Sequence, residues 1–299
     1  MTSSATSLQL AFASHPRRFE TFRWAYPVLS RRSGGLSLGV NINPDRFCNF
    51  DCPYCQVDRR GPSPSSEVDP DGVTAEVREL LARIAATGLA ETYPGVPPEG
   101  RKLSDVALSG DGEPTIRREF GQVCQNLSDL RGKWLVAGGQ AFKLVLITNA
   151  TMLDRAGVVA GLEAMCANAG GEIWGKLDAG TEEFYQKVNV SKTPLSKVVA
   201  NLGATAARFP LRIQTLFFEL EGVLPDPQEI DAWLGRLEEI TAVGRPVGLQ
   251  LHTVARRTSQ AGCKPVPLEW LENLAKRVFD RTGLEVDCHG GIDSGAISD

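Results

Sequence analysis

The sequence lacks the features that mark several large protein classes. No run of apolar residues approaches the ~20 that a membrane-spanning helix needs. Charge of one sign is not in excess, because 32 Lys and Arg residues stand against 36 Asp and Glu residues, a net charge of −4. The P-loop, the zinc-protease motif H-E-x-x-H and the serine-hydrolase motif G-x-S-x-G are also absent. Membrane insertion, general nucleic-acid binding and those three chemistries are therefore not expected.

An even set of cysteines is lacking as well. The chain has seven cysteines, which argues against a disulfide framework and for a reducing compartment. The apolar piece at residues 8–13 is too short for the core of a signal peptide, and no Lys or Arg precedes it. We therefore expect a cytoplasmic protein whose first residues, 1–20, form a disordered arm.

Predicted strands alternate with predicted helices along most of the chain. Asp69 and Pro70 mark one helix start, and apolar residues then repeat at helical spacing. The predicted strands are residues 36–42, 106–108, 144–147, 172–177, 211–220 and 247–254, with a short last strand at 284–288. Such alternation indicates parallel sheets, and repeated right-handed crossovers curl a sheet toward a barrel. We predict the α/β class, as a partial (β/α)6 TIM-like barrel with parallel strands.

The domain organisation predicted from the sequence is simple. Apolar content of 42% with 23% charged residues suits a globular protein with a sizeable core. No internal repeat and no second apolar core are evident. We predict one barrel domain at residues 34–299, preceded by a short N-terminal extension at residues 1–33 that is partly disordered.

Three cysteines lie within eight residues, in the loop after the first predicted strand. Cys48, Cys52 and Cys55 are spaced C-x3-C-x2-C, and the next cysteine is Cys124. Iron–sulfur clusters are normally held by four thiolates, and structural zinc by four Cys or His ligands. Three thiolates would leave one iron of a cubane-type cluster without a protein ligand. An open position is where a metal centre performs chemistry.

The residues alone leave three interpretations of this loop. The first is a low-potential [4Fe–4S] cluster that binds a cofactor at its fourth iron. The second is zinc or a closed electron-transfer cluster that takes a distant residue as its fourth ligand. The third is a set of buried thiols, which the polar residues of the loop disfavour.

The cysteine loop, C-N-F-D-C-P-Y-C, resembles the signature of the radical S-adenosylmethionine (radical SAM) superfamily, C-x3-C-x-aromatic-C, with Tyr54 at the aromatic position. Residues 109–114, S-G-D-G-E-P, end the second predicted strand, where the superfamily has a Gly-Gly-Glu motif. The segments S-L-G-V-N, S-G-D-G-E-P-T and L-I-T-N-A are similar to a branch related to the enzymes of wyosine-type tRNA synthesis. The resemblance covers about residues 34–260.

The resemblance implies an enzyme with two cofactors, a [4Fe–4S] cluster and S-adenosylmethionine. Such an oxidoreductase or transferase-like enzyme cleaves S-adenosylmethionine reductively and abstracts hydrogen from a substrate. The substrate classes are a tRNA base, a small molecule or a peptide. The implied partner is an electron donor such as flavodoxin or ferredoxin, with no membrane involved. The alternative function is a non-enzymatic iron–sulfur or zinc protein, either an electron carrier or a binding module.

The resemblance also assigns roles to individual residues. Cys48, Cys52 and Cys55 would ligate three irons, and Tyr54 would lie against the adenine. Gly112 and Glu113 would meet the ammonium group of the methionine part, since a cation needs an acceptor and glycine allows a close backbone approach. Asp111 departs from the motif, which has glycine there, and adds a possible acceptor. Polar residues at later strand ends would face the ribose and carboxylate of the cofactor; these are Asn149, Lys176, Asp178 and Gln214.

Simpler roles remain open for several of these residues. Residues 109–114 could form a plain strand-to-helix turn. Lys176 and Asp178 stand two residues apart on one strand face, and they could form an internal ion pair instead of binding a cofactor.

The remaining cysteines and histidines carry weaker signals. Cys263 follows the sixth predicted strand, and it is a candidate catalytic residue that could touch substrate. Cys288 and His289 adjoin at the last strand, but two ligands do not make a metal site. His252 suits a barrel core as well as a function. Cys124 and Cys166 fall within predicted helices and are expected to be small core residues.

Arginines are concentrated near the N-terminus. Residues 1–60 contain eight Arg and four acidic residues, a local balance of 8 − 4 = +4. Most of this charge comes from Arg17, Arg18, Arg23, Arg31 and Arg32. The segment is either a solvated arm held by ion pairs or a lip that attracts an anionic substrate.

Overall fold

A computed structural model of the chain describes residues 19–30, 32–59, 65–256 and 258–291. These residues divide into two compact units. Unit 1 comes from Met1–Cys48, Pro62–Thr148 and Asp154–Ile173, and unit 2 from Asn49–Gly61, Asn149–Leu153 and Trp174–Asp299. The predicted single domain with an N-terminal extension stays a prediction.

Within the described residues, unit 1 contains four whole strands and three α-helices. Its strands are β1 (Ala25–Ser30), β2 (Gly35–Val40), β3 (Leu103–Leu108) and β4 (Lys143–Thr148). Its helices are α1 (Pro70–Thr92), α2 (Phe120–Val136) and α3 (Ala156–Cys166). Strands β2, β3 and β4 are parallel, whereas β1 lies antiparallel to β2. Strand β5 (Gly171–Lys176) begins in this unit and ends in unit 2.

Helix α1 shows how the sequence dictates its own local structure. The Asp69 carboxylate accepts a hydrogen bond from the N–H of Asp71, and Pro70 occupies the first turn, as the sequence predicts. The apolar residues at helical spacing, from Val73 to Ile84, are buried. The helix runs beyond its predicted end at about residue 87 because it continues past a kink at Gly88, which has φ of 74°.

Strand β1 is a finding that the sequence did not predict, since it lies within the predicted extension. The carboxylate of Glu76 on α1 accepts hydrogen bonds from three successive backbone N–H groups, those of Arg23, Trp24 and Ala25. Backbone donors that would otherwise be unpaired are thereby satisfied as the chain enters the strand. Of the predicted basic lip, Arg17, Arg18 and Arg31 lie outside the described residues.

Unit 2 contains the remaining elements of the alternating pattern. Its strands are β6 (Leu211–Leu216), β7 (Phe218–Leu220), β8 (Gly248–His252), β9 (Cys263–Pro265) and β10 (Val286–His289). Its helices are α4 (Glu182–Val188), α5 (Leu195–Ala206), α6 (Pro227–Val243) and α7 (Leu268–Thr282). Strand β8 pairs in parallel with both β6 and β10, and β7 pairs with β9 in a separate antiparallel sheet.

The predicted strand 211–220 is wrong in one respect, because it is two strands. The N–H of Leu216 donates to the Asp178 carboxylate at 2.9 Å instead of to a neighbouring strand. The chain then leaves the main sheet, and β7 pairs with β9. The hydrogen bond from Leu216 to a side chain therefore coincides with the end of β6.

The strand order is β1-β2-β3-β4-β5-β6-β8-β10. Strands of the βα units therefore follow one another in chain order, which confirms the predicted α/β class with a largely parallel sheet of the partial TIM-like kind. Among the helices that the structure describes, none is both long and apolar enough to cross a bilayer.

Candidate active site

In unit 1, the turn after β3 packs against the chain that follows β2. We call Asn41, Asn43, Asp111, Gly112 and Glu113 the Gly112 turn. Asn41 donates from Nδ2 to the Asp111 carboxylate at 2.9 Å and accepts the Asp111 N–H at its Oδ1 at 3.3 Å. Asn43 donates from Nδ2 to the carbonyl of Glu113 at 3.1 Å. Two strand-end loops are thereby joined by side-chain amides.

Gly112 is required by this packing. A Cβ atom at this position would lie 1.9 Å from the carbonyl oxygen of Phe47 and 2.8 Å from Cβ of Asn43. The same carbonyl of Phe47 accepts the Glu113 N–H at 3.3 Å. Because Phe47 directly precedes Cys48, the turn holds the entry to the cysteine loop. Only glycine allows two backbones to approach so closely.

The side chain of Glu113 is buried and caps a short 3-10 helix at Pro114–Ile116. Its Oε1 atom accepts hydrogen bonds from the N–H of Thr115 at 3.1 Å and from the hydroxyls of Thr115 and Thr148, each at 2.6 Å. Thr148 ends β4, so this carboxylate links the ends of two neighbouring strands. The predicted contact of Glu113 with a methionyl ammonium stays a prediction.

In unit 2, four residues form what we call the Asn189 cluster: Cys52, Tyr54, Asp178 and Asn189. The Tyr54 hydroxyl donates to Asp178 Oδ2 at 2.5 Å. Asn189 Nδ2 lies 3.0 Å from Asp178 Oδ2, 3.1 Å from Tyr54 Oη and 3.6 Å from Cys52 Sγ. The carbonyl of Asn189 accepts the Asp51 N–H at 3.1 Å. The end of β5 and the cysteine loop are thus bound through one asparagine.

Lys176 belongs to the same surroundings. Its Nζ lies 3.5 Å from Asp178 Oδ2 and 4.8 Å from the centre of the Tyr54 ring. The ion pair considered from the sequence is therefore present, and a cation–π contact accompanies it. The Tyr54 ring also meets Phe218 edge-on, with the ring centres 5.3 Å apart.

Burial dominates the protonation behaviour of this cluster. Burial raises the pKa of the Cys52 thiol to about 11, and hydrogen bonding to Tyr54 opposes the rise only in part. Burial and then the negative charge of Asp178 raise the pKa of Tyr54 well above its usual value, so the phenol is protonated at neutral pH. Ligation of a metal by Cys52 would release the thiol proton, since the thiolate is the ligand.

Asn149 belongs to a second network in unit 2. Its Oδ1 accepts from the N–H and the hydroxyl of Thr151 at 3.1 and 2.8 Å, and its Nδ2 donates to Asn49 Oδ1 at 2.7 Å. Asn49 closes the ring by donating from Nδ2 to the Thr151 hydroxyl at 2.8 Å. Asn49 follows Cys48 directly, so the turn after β4 fixes the interior of the cysteine loop.

Cys55 is held by a different set of donors. The N–H of Val57 and Nη1 of Arg59 lie 3.5 and 3.4 Å from Cys55 Sγ. The N–H of Ser259 donates to the carbonyl of Cys55 at 2.6 Å. The segment before β9 therefore supports the last cysteine of the loop.

Gln214 is fully buried and pairs with a matching residue on the neighbouring strand. Its Nε2 donates to Gln250 Oε1 at 2.6 Å, and the two residues stand opposite each other in the parallel register of β6 and β8. The structure thus gives Gln214 a partner inside the sheet. Its predicted contact with cofactor stays a prediction.

The remaining candidates lie on other elements. Cys263 begins β9 opposite Leu220, and burial raises the pKa of its thiol. Cys288 lies in β10, and His289 stands opposite His252 in the register with β8. Cys124 is fully buried in α2, as expected of a core residue, whereas Cys166 at the end of α3 is half-buried. The seven cysteines are all described, and none forms a disulfide.

Sequence reasoning missed Asn189, Asn49, Thr151 and Arg59. Asn189 lies 137 residues from Cys52 and follows helix α4, where an asparagine looks like an ordinary helix end. Arg59, four residues after Cys55, carried a weak signal in its charge and position.

The residues present fit an iron–sulfur cofactor in their donor chemistry. Within the described ranges, no group of three or more Cys, His, Asp or Glu residues is placed so that it could hold a metal ion. The three cysteines nevertheless supply the soft thiolate ligands that such clusters take. The buried Oδ1 of Asn189 has no hydrogen-bond partner in the described chain, although it lies in the cluster that contains Cys52. Such an orphaned acceptor fits a site that takes a ligand with a hydrogen-bond donor.

Comparison with known proteins indicates the family of the chain. The family model described as the radical SAM superfamily matches residues 42–218, which include every predicted cofactor and metal residue. A UPF0026 protein from Synechocystis sp. is 24% identical over 301 residues, which cover 90% of this chain and 97% of that protein. A protein named GTPase Obg from Brachyspira hyodysenteriae is 23% identical over 287 residues, covering 94% of this chain. The chain spans only 36% of that second relative's length, and it lacks a P-loop.

Solved structures support the fold. A structure of TYW1 with a lysine-pyruvate adduct bound has a TM-score of 0.56 at 15% identity, covering 94% of this chain and 84% of that one. A radical SAM methyltransferase from Sphaerobacter thermophilus has a TM-score of 0.58 at 13% identity, covering 92% and 71%. The predicted partial barrel and the resemblance noted in the cysteine loop are both confirmed. The predicted pair of cofactors, a [4Fe–4S] cluster and S-adenosylmethionine, is confirmed as that of the family.

Proposed function

The chain belongs to the radical SAM superfamily, and we propose that it is an enzyme that cleaves S-adenosylmethionine reductively and abstracts hydrogen from a substrate. The observation that carries the proposal is the family match over residues 42–218, which contains the cysteine triplet and the Gly112 turn. When bound, the cluster would supply the electron for this cleavage. Cys48, Cys52 and Cys55 would hold the cluster.

The protein's own residues hold the cysteine loop in place and offer hydrogen-bond acceptors near it. Gly112 lets the turn after β3 lie against the backbone of Phe47, which fixes the start of the cysteine loop. Asn189 fixes the middle of the cysteine loop through hydrogen bonds to Asp51, Cys52 and Tyr54. Preorganised polar groups cost no rearrangement when a charged ligand binds. Both arrangements suit a site that orients a cofactor and keeps water from it.

Further contacts with S-adenosylmethionine are proposed for the polar residues at the strand ends. Asp111 and Glu113 carry carboxylates for the ammonium group, and Lys176 carries a cation for the carboxylate. Tyr54 offers an aromatic face to the adenine, and that face already contacts the Lys176 cation. Asn149, Asp178 and Gln214 are proposed to serve the ribose side, and Cys263 to touch substrate.

The test is anaerobic incubation with dithionite and S-adenosylmethionine, with 5′-deoxyadenosine measured by chromatography. We expect product from the reconstituted protein and none from Cys48→Ala, Cys52→Ala or Cys55→Ala. Cys166→Ala is the matched control, because Cys166 lies at the end of α3 in unit 1, and it should retain activity. A fully loaded cluster that yields no 5′-deoxyadenosine would contradict the proposal. Flavodoxin or ferredoxin should replace dithionite as electron donor.

The alternative function, an electron carrier or a zinc-stabilised module, is tested by electron paramagnetic resonance. The superfamily assignment favours the enzyme. A cluster signal that shifts when S-adenosylmethionine is added supports coordination at an open iron. A signal that does not respond would favour the electron carrier, and zinc in place of iron would favour the binding module.

For the substrate, a tRNA base is the first class to test. It is suggested by the resemblance to the wyosine-type branch and by Arg46 and Arg59, which flank the cysteine loop in the sequence. The net charge of −4 weighs toward a small molecule or a peptide. Addition of total tRNA should increase 5′-deoxyadenosine formation, and the increase should weaken as salt is raised. If tRNA does not increase 5′-deoxyadenosine formation at low salt, a small molecule and a peptide remain as substrate classes.

A further inference from the structure

Two side chains outside the cysteine loop donate hydrogen bonds to cysteine sulfurs in unit 2. Nη1 of Arg59 lies 3.4 Å from Cys55 Sγ, and Nδ2 of Asn189 lies 3.6 Å from Cys52 Sγ. Both distances suit N–H···S hydrogen bonds, which are longer than N–H···O bonds because sulfur is larger. The radical SAM signature contains neither residue.

The orientation of the Asn189 amide is fixed by its neighbours. Asp178 Oδ2 accepts hydrogen bonds from the Tyr54 hydroxyl at 2.5 Å and from Nδ2 of Asn189 at 3.0 Å. The amide therefore turns its NH2 group, not its oxygen, toward Asp178 and Cys52. Asn189 is only 1% exposed, so it cannot easily turn away.

Arg59 presents a cation to Cys55. A guanidinium remains protonated at all working pH values, so its positive charge is present throughout. Arg59 is half-buried, which limits the weakening of the interaction by solvent. The N–H of Val57 adds a backbone donor at 3.5 Å from the same sulfur.

We propose that Arg59 and Asn189 are positioning residues that raise the reduction potential of the cluster held by Cys52 and Cys55. The inference rests on the proposed function. Reduction adds one negative charge to the cluster, and hydrogen bonds strengthen as the acceptor becomes more negative. Donors at the sulfurs therefore stabilise the reduced state, and hydrogen bonds to sulfur are one of the factors that set cluster potentials. The two side chains bring a low-potential cluster closer to the reach of a cellular reductant.

The test is a redox titration of the reconstituted protein, followed by the electron paramagnetic resonance signal of the reduced cluster. Arg59→Met keeps the apolar stem and removes charge and donors. Asn189→Leu keeps the approximate shape and removes the donor. Each should lower the equilibrium constant for reduction about tenfold, which is about 59 mV for a one-electron couple. The double variant should show the sum of both shifts, and Arg59→Lys should show a smaller shift than Arg59→Met.

Two controls separate this effect from general damage. Arg277→Met removes an exposed cation of α7 that pairs with Asp231 of α6, and the reduction potential of this variant should match that of the unmodified protein. Asn201→Leu removes a buried donor to the carbonyl of Ala150, so it can weaken the fold but should leave the potential unchanged.

The possible outcomes distinguish this inference from the proposed function. If Arg59→Met binds full iron and has an unchanged potential, the inference is wrong for Arg59, whereas the proposed function is decided separately by the formation of 5′-deoxyadenosine. If Asn189→Leu fails to fold, the reduction potentials of Arg59→Met and Arg59→Lys still test the inference. If the unmodified protein forms no cluster whose signal responds to S-adenosylmethionine, the proposed function itself fails.

Discussion

The Gly112 turn in unit 1 and the Asn189 cluster in unit 2 hold neighbouring parts of the cysteine loop by different means. In the Gly112 turn, backbone meets backbone, and the essential property is a missing side chain: a Cβ on Gly112 would lie 1.9 Å from a carbonyl oxygen. In the Asn189 cluster, buried polar side chains bond one another around Asp178. The first arrangement depends on space and the second on charge. The two should therefore fail in different ways.

The largest expected effect is removal of the central carboxylate of the Asn189 cluster. Asp178→Ala removes the acceptor of the Leu216 N–H and of the Tyr54 hydroxyl, and it also removes the ion-pair partner of the Lys176 ammonium. Breaking a buried charged network costs about 3–5 kcal/mol. We expect the free energy of unfolding in urea to fall by that amount. Asp287→Ala, which removes an exposed partner of Arg212, should cost less than about 1 kcal/mol. If Asp178→Ala and Asp287→Ala lowered the free energy of unfolding equally, Asp178 would not be the centre of a buried network.

Next in size is a substitution that adds one methyl group to the Gly112 turn. Gly112→Ala forces Cβ against the carbonyl of Phe47, and overpacking of this kind costs about 1–3 kcal/mol. Gly132→Ala in α2 is the matched control, because a Cβ there meets nothing within 4 Å. Since alanine favours helix over glycine, that variant should gain about 0.5–1 kcal/mol. Thermal unfolding should move in opposite directions for the two. A neutral Gly112→Ala would show that the close approach is not required.

A smaller effect is expected when the buried carboxylate of Glu113 in the Gly112 turn loses only its charge. Glu113→Gln keeps an acceptor for Thr115 and Thr148 but loses the charge, and charged hydrogen bonds exceed neutral ones by about 1 kcal/mol. Glu113→Ala should cost about 2–3 kcal/mol, because three donors lose their acceptor. Urea unfolding of both variants checks the order. If Gln were as damaging as Ala, the capping role would be excluded.

The smallest effect is a pH dependence of stability that comes from a buried carboxyl on β3, the strand that leads into the Gly112 turn. Burial raises the pKa of Asp105 on β3, and hydrogen bonds from Ser33 and Ser37 oppose the rise only in part. A raised pKa in the folded protein means that stability from this group is present below the unfolded value and is lost as pH rises through the folded value. Asp105→Asn should remove this loss, so its advantage over the unmodified protein should grow with pH by up to about 1 kcal/mol. Urea titrations at several pH values measure the difference in the free energy of unfolding between Asp105→Asn and the unmodified protein. A difference that does not change with pH would argue against a raised pKa for Asp105.

Much of the fold could be predicted from the chain. The helix starts at Asp69 and Asp226 and the alternation of strands and helices follow from caps, proline positions and apolar spacing, which are local properties. Strand β1 could not be predicted in this way, because it depends on Glu76, a residue about 50 positions further along the chain. The end of β6 could not be predicted either, since the Leu216 N–H there donates to Asp178, a residue 38 positions away in the chain.

The residues of the candidate site likewise divide into those that could be predicted from the sequence and those that could not. Cys48, Cys52, Cys55 and Gly112 could be recognised because spacing and a missing side chain are visible in a sequence. Lys176 and Asp178 were recognised by their place at a strand end, and the structure adds that they pair with each other. Asn189 and Thr151 had no such signal. Their importance comes from contacts with the cysteine loop across more than 100 residues of chain.

The sequence by itself determined which candidate ligands the chain offers and where they stand relative to the predicted strands. Thiolate spacing, glycine at a crowded turn and strand–helix alternation are short-range properties, and each can be seen within a few residues. Only the tertiary structure decided which groups hold those ligands in place. Asn189 binds Cys52, Tyr54 and Asp178 because folding returns the end of α4 to the cysteine loop, and a buried amide must then satisfy whatever acceptors surround it.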